Sequence, residues 1–248
     1  MRGGPRSATI GVATGLAAVA VAAQSLPVGA TSLRALRVRA FPRLAGLGRR
    51  DHVALTFDDG PDPASTPAFL EALAGLGWHA TFFMLGSMVR KAPGLAAEVA
   101  AAGHEVAVHG DEHRSQLWRT PGAVAADLDR ARHEVAGATG SAPRWFRPPY
   151  GVLTLGGVQA ARGAGLSPVL WTAWGRDWRA EATPATVAGD VARDLGPGAT
   201  VLLHDSDCTS APGAWRSALG ALPRLAEVFA WHGLDVGPLR DHGLVGVA

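Results

Sequence analysis

From His52 onward the chain alternates two kinds of stretch: short apolar runs rich in β-branched and aromatic residues, and longer Ala/Leu-rich stretches of helical character. The short runs predict seven strands, at 53–57, 80–84, 105–109, 144–147, 168–172, 200–204 and 234–236. The longer stretches predict helices near 65–76, 88–102, 121–138, 153–164, 184–195 and 213–231. Pro67, Pro93, Pro121 and Pro184 fall close to helix starts, where a missing N–H does no harm. Strict alternation of strand and helix implies parallel strands with right-handed crossovers, hence an α/β fold, either an open doubly wound sheet or a closed barrel. A nucleotide-binding sheet carries a Gly-rich phosphate loop after its first strand; here that strand runs into Asp58-Asp59-Gly60-Pro61, which would offer a phosphate two negative charges.

The 248 residues, 48% of them hydrophobic, suffice for a full core. Charge divides the chain in two. Residues 1–50 hold eight Arg and no acid, whereas 51–248 carry fifteen basic residues against twenty-one acidic, so the body is mildly acidic and lacks the basic face and motif that nucleic-acid binding needs. We therefore expect an N-terminal segment, 1–50, followed by a catalytic domain, 51–248. The segment contains an apolar small-residue run from Ala8 to Ala23, shorter than a membrane-spanning helix prefers and closer to a signal peptide, with small-residue cleavage sites after Ala23 and Ala30. Six Arg follow the run and two precede it, a bias that would keep the downstream side of an uncleaved anchor cytoplasmic. Export, with possible membrane association through 8–23, is the expectation. The single cysteine, Cys208, excludes an internal disulfide and is read as structural.

Polar residues suited to chemistry collect at the C-terminal ends of the expected strands: Asp58 and Asp59 after the first, His109 at the third, Arg147 at the fourth, Asp177 after the fifth and His204 at the sixth. In a parallel barrel those ends open on one face, so the six residues would converge. His109 and His113 are spaced i, i+4, which on a helical turn places two imidazoles on one side, and a nearby carboxylate completes a His₂Asp metal site with positions left for water. Two adjacent Asp repel one another unless a cation intervenes. One can then serve as ligand while the other acts as general base, and Gly60-Pro61 turns the chain away.

With these residues in view, the sequence resembles the polysaccharide deacetylases of the NodB-homology type, carbohydrate esterase family 4. TFDDGP (56–61), HGDEH (109–113), RPPY (147–150), RDW (176–178) and LLH (202–204) are similar to its five motifs in order, over about residues 52–205. The resemblance implies a distorted (β/α)₇ barrel and metal-dependent removal of acetyl groups from a glycan such as peptidoglycan or a chitooligosaccharide. It implies one divalent metal, zinc or else cobalt, held by Asp59, His109 and His113. It makes Asp58 the base, with Arg147 keeping it ionised and oriented. The Tyr150 backbone N–H would stabilise the oxyanion, and His204, kept protonated by Asp177, would be the acid. Trp178 and Leu202 would wall the acetyl pocket.

Two positions depart from the family pattern. Gly110 stands where many members carry Ser or Thr, and Trp174 where many carry Asp; Trp174 could instead offer a flat face to a sugar ring. HGDEH also satisfies the inverted zinc-protease pattern HxxEH, with Glu112 as base, but that pattern needs a continuous helix and Gly110 is a poor helix residue. Two rival functions are compatible with the same residues: a non-catalytic sugar-binding protein on this scaffold, and an amidase for small non-sugar C–N bonds. His52, His79, His104, His133, His232 and His242 show no ligand spacing and are read as structural.

Overall fold

Every residue of β1, His52–Asp58, is buried, as a parallel strand covered on both faces must be. Its period-two alternation sorts the side chains. Val53, Leu55 and Phe57 join the main apolar core, where Phe69 and Leu73 of the helix Thr66–Leu76 meet them, while Ala54 lies in a second, smaller cluster with Phe83 and Ala107. β2 (Thr81–Leu85) and β3 (Glu105–Gly110) repeat the pattern, with Phe82, Met84 and Val106 on the side of the main core.

The computed structural model describes Val28 and residues 33–244; the run 8–23 and the expectations attached to it lie outside the described residues. Among the described residues no helix is long and apolar enough to cross a membrane. The remaining strands are β4 (Trp145–Phe146), β5 (Ser167–Pro168), β6 (Ala173–Trp174), β7 (Thr200–His204) and β8 (Asp235–Gly237). All pair in parallel in the order β5-β4-β3-β2-β1-β7-β6, with β8 against the start of β1. The expected distorted barrel is therefore present as a curled parallel sheet.

Its distortion has a definite location. The fifth expected strand, 168–172, is instead two two-residue strands at the ends of one segment: β5 pairs with β4, and β6 pairs with β7. The segment thus bridges the two edges of the sheet, and between its ends the ladder is replaced by other bonds. Leu170 N–H donates to Leu44 O (2.7 Å), and the carbonyls of Leu170, Trp171 and Thr172 accept from Arg147, Arg37 and Arg34 at 3.0, 2.8 and 2.7 Å. Arg34 and Arg37 belong to a helix, Arg34–Ala40, that the sequence pattern did not suggest. Residues 34–47 of the Arg-rich tract thus supply hydrogen bonds that a neighbouring strand would otherwise provide.

The expected helix 88–102 is likewise two helices, Gly86–Lys91 and Pro93–Ala101, because a residue preceding proline is driven out of the helical region. The other expected helices appear at Pro121–Thr139, Leu155–Gly163, Pro184–Asp194 and Trp215–Trp231. At the opposite end of the barrel from the C-terminal ends of the strands, buried His52 and His242 pair through their Nδ1 atoms at 2.8 Å.

Candidate active site

β1 and β7 are in register so that Asp58 and His204 are direct Cα partners at the C-terminal edge. Asp58 is buried and accepts from Arg147 Nη1 at 2.7 Å; the same nitrogen donates to Thr56 Oγ1 at 2.8 Å, one inward position earlier on β1. Arg147 is itself completely buried, with its guanidinium carbon 4.0 Å from the centre of the Phe83 ring. Burial pushes the Asp58 carboxyl up, and the Arg147 charge, followed by His204, pulls it back, leaving it at about 6. The opposite balance holds at His204. Burial alone would lower its pKa, but Asp177, bonded through Oδ1 to Nδ1 at 3.0 Å and through Oδ2 to the His204 N–H at 2.7 Å, raises it to about 10. Base and acid candidates thus lie side by side, both raised, the carboxyl to just below neutral pH and the imidazole well above it.

Asp59, next along the chain, adopts a left-handed φ of +82° that turns it away from Asp58. Its Oδ1 lies 3.4 Å from His109 Nε2 and 3.5 Å from His113 Nε2. His109 Nδ1 sits 2.9 Å from the Arg147 carbonyl, which can only accept, so the ring proton is on Nδ1 and Nε2 presents a lone pair to Asp59. Burial pushes both histidines below their ordinary value, His109 far below it, which keeps them neutral. Asp59 Oδ1 is buried without any hydrogen-bond partner. An unpaired carboxylate oxygen facing two neutral imidazole nitrogens is costly on its own and fits a divalent cation, and these three residues are the group able to hold one among the described residues.

The two histidines do not reach this position on a helical turn. β3 runs to Gly110 and the chain then bends, with Gly110 at φ +105°, a conformation that the Ser or Thr of the family pattern would adopt only under strain. The loop is braced by two carboxylates: Asp127 Oδ2 accepts the Asp111 N–H at 2.9 Å, and the buried Asp111 carboxylate pairs with Arg90 and Arg130 at 2.6 and 3.1 Å. Glu112 is exposed and pairs with Arg114, so the HxxEH pattern lacks both its helix and its base. The glycine of TFDDGP has a steric cause: a Cβ on Gly60 would lie 2.2 Å from Asp205 Oδ2, while the Gly60 N–H donates to Asp205 Oδ1.

A cavity of about 440 Å³ opens onto this cluster, with Asp58, His109, His113 and His204 in its lining. Tyr150 stands at its mouth, 63% exposed, with φ +59° and its ring edge-on to His113 at 4.3 Å. Trp178 and Leu202 line the cavity as expected of wall residues, and so does Trp174. Trp171, Thr209 and Ser210 were not anticipated. Trp171 lay inside an expected strand; it contacts Trp174 at 5.4 Å, and a side chain on Gly151 would collide with it. Nothing in the sequence marks Thr209 or Ser210. Cys208 is near them; the residue is exposed at its edge, while desolvation of the sulfur and then the Asp59 charge push its thiol up to about 12, so it is protonated at neutral pH.

A curled parallel barrel with a cation-type triad beside an acid and base pair defines a hydrolase-type site. The family model for polysaccharide deacetylase matches residues 46–169, half of the chain, and the chain belongs to that family. It is 38% identical over 195 residues to a chitooligosaccharide deacetylase of Bradyrhizobium, covering 75% of this chain and 88% of that one. It is 35% identical over 159 residues to a peptidoglycan-N-acetylglucosamine deacetylase of Listeria monocytogenes, covering 64% of this chain but only 33% of that longer protein. Among solved structures, a family 4 pseudoenzyme from Bacillus anthracis superposes with a TM-score of 0.71 at 25% identity, covering 78% of this chain and 65% of that one. The fold is therefore shared by proteins described as deacetylases and by one described as a pseudoenzyme, and the side chains must decide between them.

Proposed function

We propose that this protein removes acetyl groups, from nitrogen in preference to oxygen, from an acetylated glycan of the chitooligosaccharide or peptidoglycan type. The observation that carries the reading is the register of Asp58 and His204 on neighbouring strands beside the Asp59–His109–His113 cluster. The names of the relatives support the substrate class.

A zinc ion in the triad, or cobalt in its place, would act as a Lewis acid toward the acetyl carbonyl and make water a better nucleophile. The protein's own groups do the rest. Asp58, held by Arg147, takes the proton from the attacking water. His204, protonated and oriented by Asp177, delivers a proton to the departing sugar nitrogen. The Tyr150 backbone N–H supplies a fixed donor where negative charge develops on the acetyl oxygen. Trp178 and Leu202 enclose the methyl group, and Trp174 presents a ring face to the sugar.

The test is acetate release from N-acetylchitooligosaccharides and from peptidoglycan with added Zn²⁺ or Co²⁺. Acetate should appear with an equal amount of free amine, and Asp58→Asn should slow its release roughly 10²- to 10⁴-fold without weakening sugar binding. Sugar binding without any acetate release would make this a binding protein on the same fold. Turnover confined to small non-sugar amides would favour an amidase.

A further inference from the structure

We propose that Thr209 is a positioning residue for the cation-binding carboxylate, fixing the rotation at which one oxygen of Asp59 faces the two histidines. The inference rests on reading Asp59, His109 and His113 as a cation site.

Asp59 has two carboxylate oxygens with unequal surroundings. Oδ1 faces both imidazoles and has no hydrogen-bond partner. Oδ2 accepts from the Thr209 hydroxyl at 2.7 Å. A hydroxyl has a single proton, so this bond assigns it to Oδ2 and leaves Oδ1 with its lone pairs free. Without it the carboxylate could swing about its terminal torsion, which is broad, and no oxygen would be held in the direction of the two imidazoles.

Thr209 is 150 positions from Asp59 and is brought there by the loop after β7. That loop is tied down on both sides of it. Ser206 Oγ donates to Asp62 Oδ2 at 2.9 Å and accepts the Cys208 N–H at 3.1 Å, the Gly213 N–H bonds to the Asp207 carboxylate, and the Ala211 N–H donates to Trp178 O at 3.2 Å. The Cys208 thiol also meets the Asp59 carbonyl at 3.7 Å, so two successive loop residues contact the same aspartate. Asp59 needs such support because its left-handed backbone is unfavourable for a residue with a side chain. Thr209 is itself exposed and lines the cavity, so its hydroxyl can be removed without disturbing the core.

The experiment uses the full chain stripped of metal. Zn²⁺ affinity is measured by competition with a chelating dye for the wild type, Thr209→Val and Thr209→Ser, alongside the visible spectrum of each Co²⁺-loaded form. Partners that orient a metal ligand typically contribute a factor of roughly 10 to 100 in metal affinity, and Thr209→Val should lose that much. Its Co²⁺ bands should shift, Thr209→Ser should bind close to wild type, and all three should show the same far-UV circular dichroism and a cooperative unfolding transition in chelator. Equal affinity in Thr209→Val overturns the proposal, and so does a Thr209→Ser as weak as Thr209→Val, since the methyl group would then be responsible. A wild type that does not bind Zn²⁺ overturns the cation site itself, and this inference with it.

Discussion

The half of the barrel built from β1, β2, β3 and β7 and the half built around residues 167–174 are held by different means. In the first, parallel ladders lead straight into Asp58, His109 and His204, and the chemistry sits at strand ends whose positions the backbone fixes. In the second, two short strands flank a gap whose carbonyls are taken by three arginines, two of them from the tract preceding residue 46, where the family match begins. Under the proposed mechanism, proton transfer and cation binding fall to the regular half, and much of the cavity wall, through Trp171, Trp174 and Trp178, lies in the irregular one. A site that needs sub-ångström placement of a few atoms and tolerance in its walls is well served by this division.

Substitutions in the two halves should therefore differ in kind. The largest effect is expected from Asp59→Ala, which should abolish retained Zn²⁺ in elemental analysis and reduce acetate release to background. Asp58→Asn should follow, lowering kcat roughly 10²- to 10⁴-fold while Zn²⁺ content stays normal, as befits loss of a base alone. Third comes the pH dependence. Asp58 must be ionised to accept a proton, so kcat/KM should rise as pH increases through about 6, and His204 must be protonated to donate, so it should fall through about 10. A cation nearby favours the deprotonated form of both groups and moves both limbs downward. Asp177→Asn removes the charge that raises His204 and should shift the alkaline limb to lower pH with little change in the acid limb. The smallest effect on chemistry is expected in the irregular half: Arg37→Ala leaves the Trp171 carbonyl without its donor, costing about 1–3 kcal/mol in denaturant unfolding. It should raise KM through Trp171 more than it lowers kcat. A kcat loss as large as that of Asp58→Asn would show that the two halves are not separable.

The regular half was legible in the sequence because its signals are local. VALTF followed by Asp-Asp gives a strand and its end, and the strand ends of a parallel barrel converge by geometry alone, so Asp58, Asp59, His109, Arg147, Asp177 and His204 could be placed on one face. The irregular half was not legible, because PVLWT carries the same β-branched and aromatic pattern as an intact strand; what breaks its ladder is Leu44, Arg34 and Arg37, far away in sequence. HGDEH misled in a related way. Its i, i+4 spacing suits a helix, but Gly110 at positive φ produces the same approach of two imidazoles from a strand end and a bend. The left-handed Asp59, Tyr150 and Arg176, all at or beside the site, carry no mark in the sequence at all.

Because Asp58 and His204 ride on hydrogen-bonded neighbours of one sheet, the pitch between proton acceptor and proton donor is inherited from the spacing of adjacent strands. Insertions and exchanges in the surrounding loops can reshape which saccharide is admitted while that pitch stays constant. For protein engineering, this makes the loop rim the place to retune selectivity and the strand pair the part to leave alone.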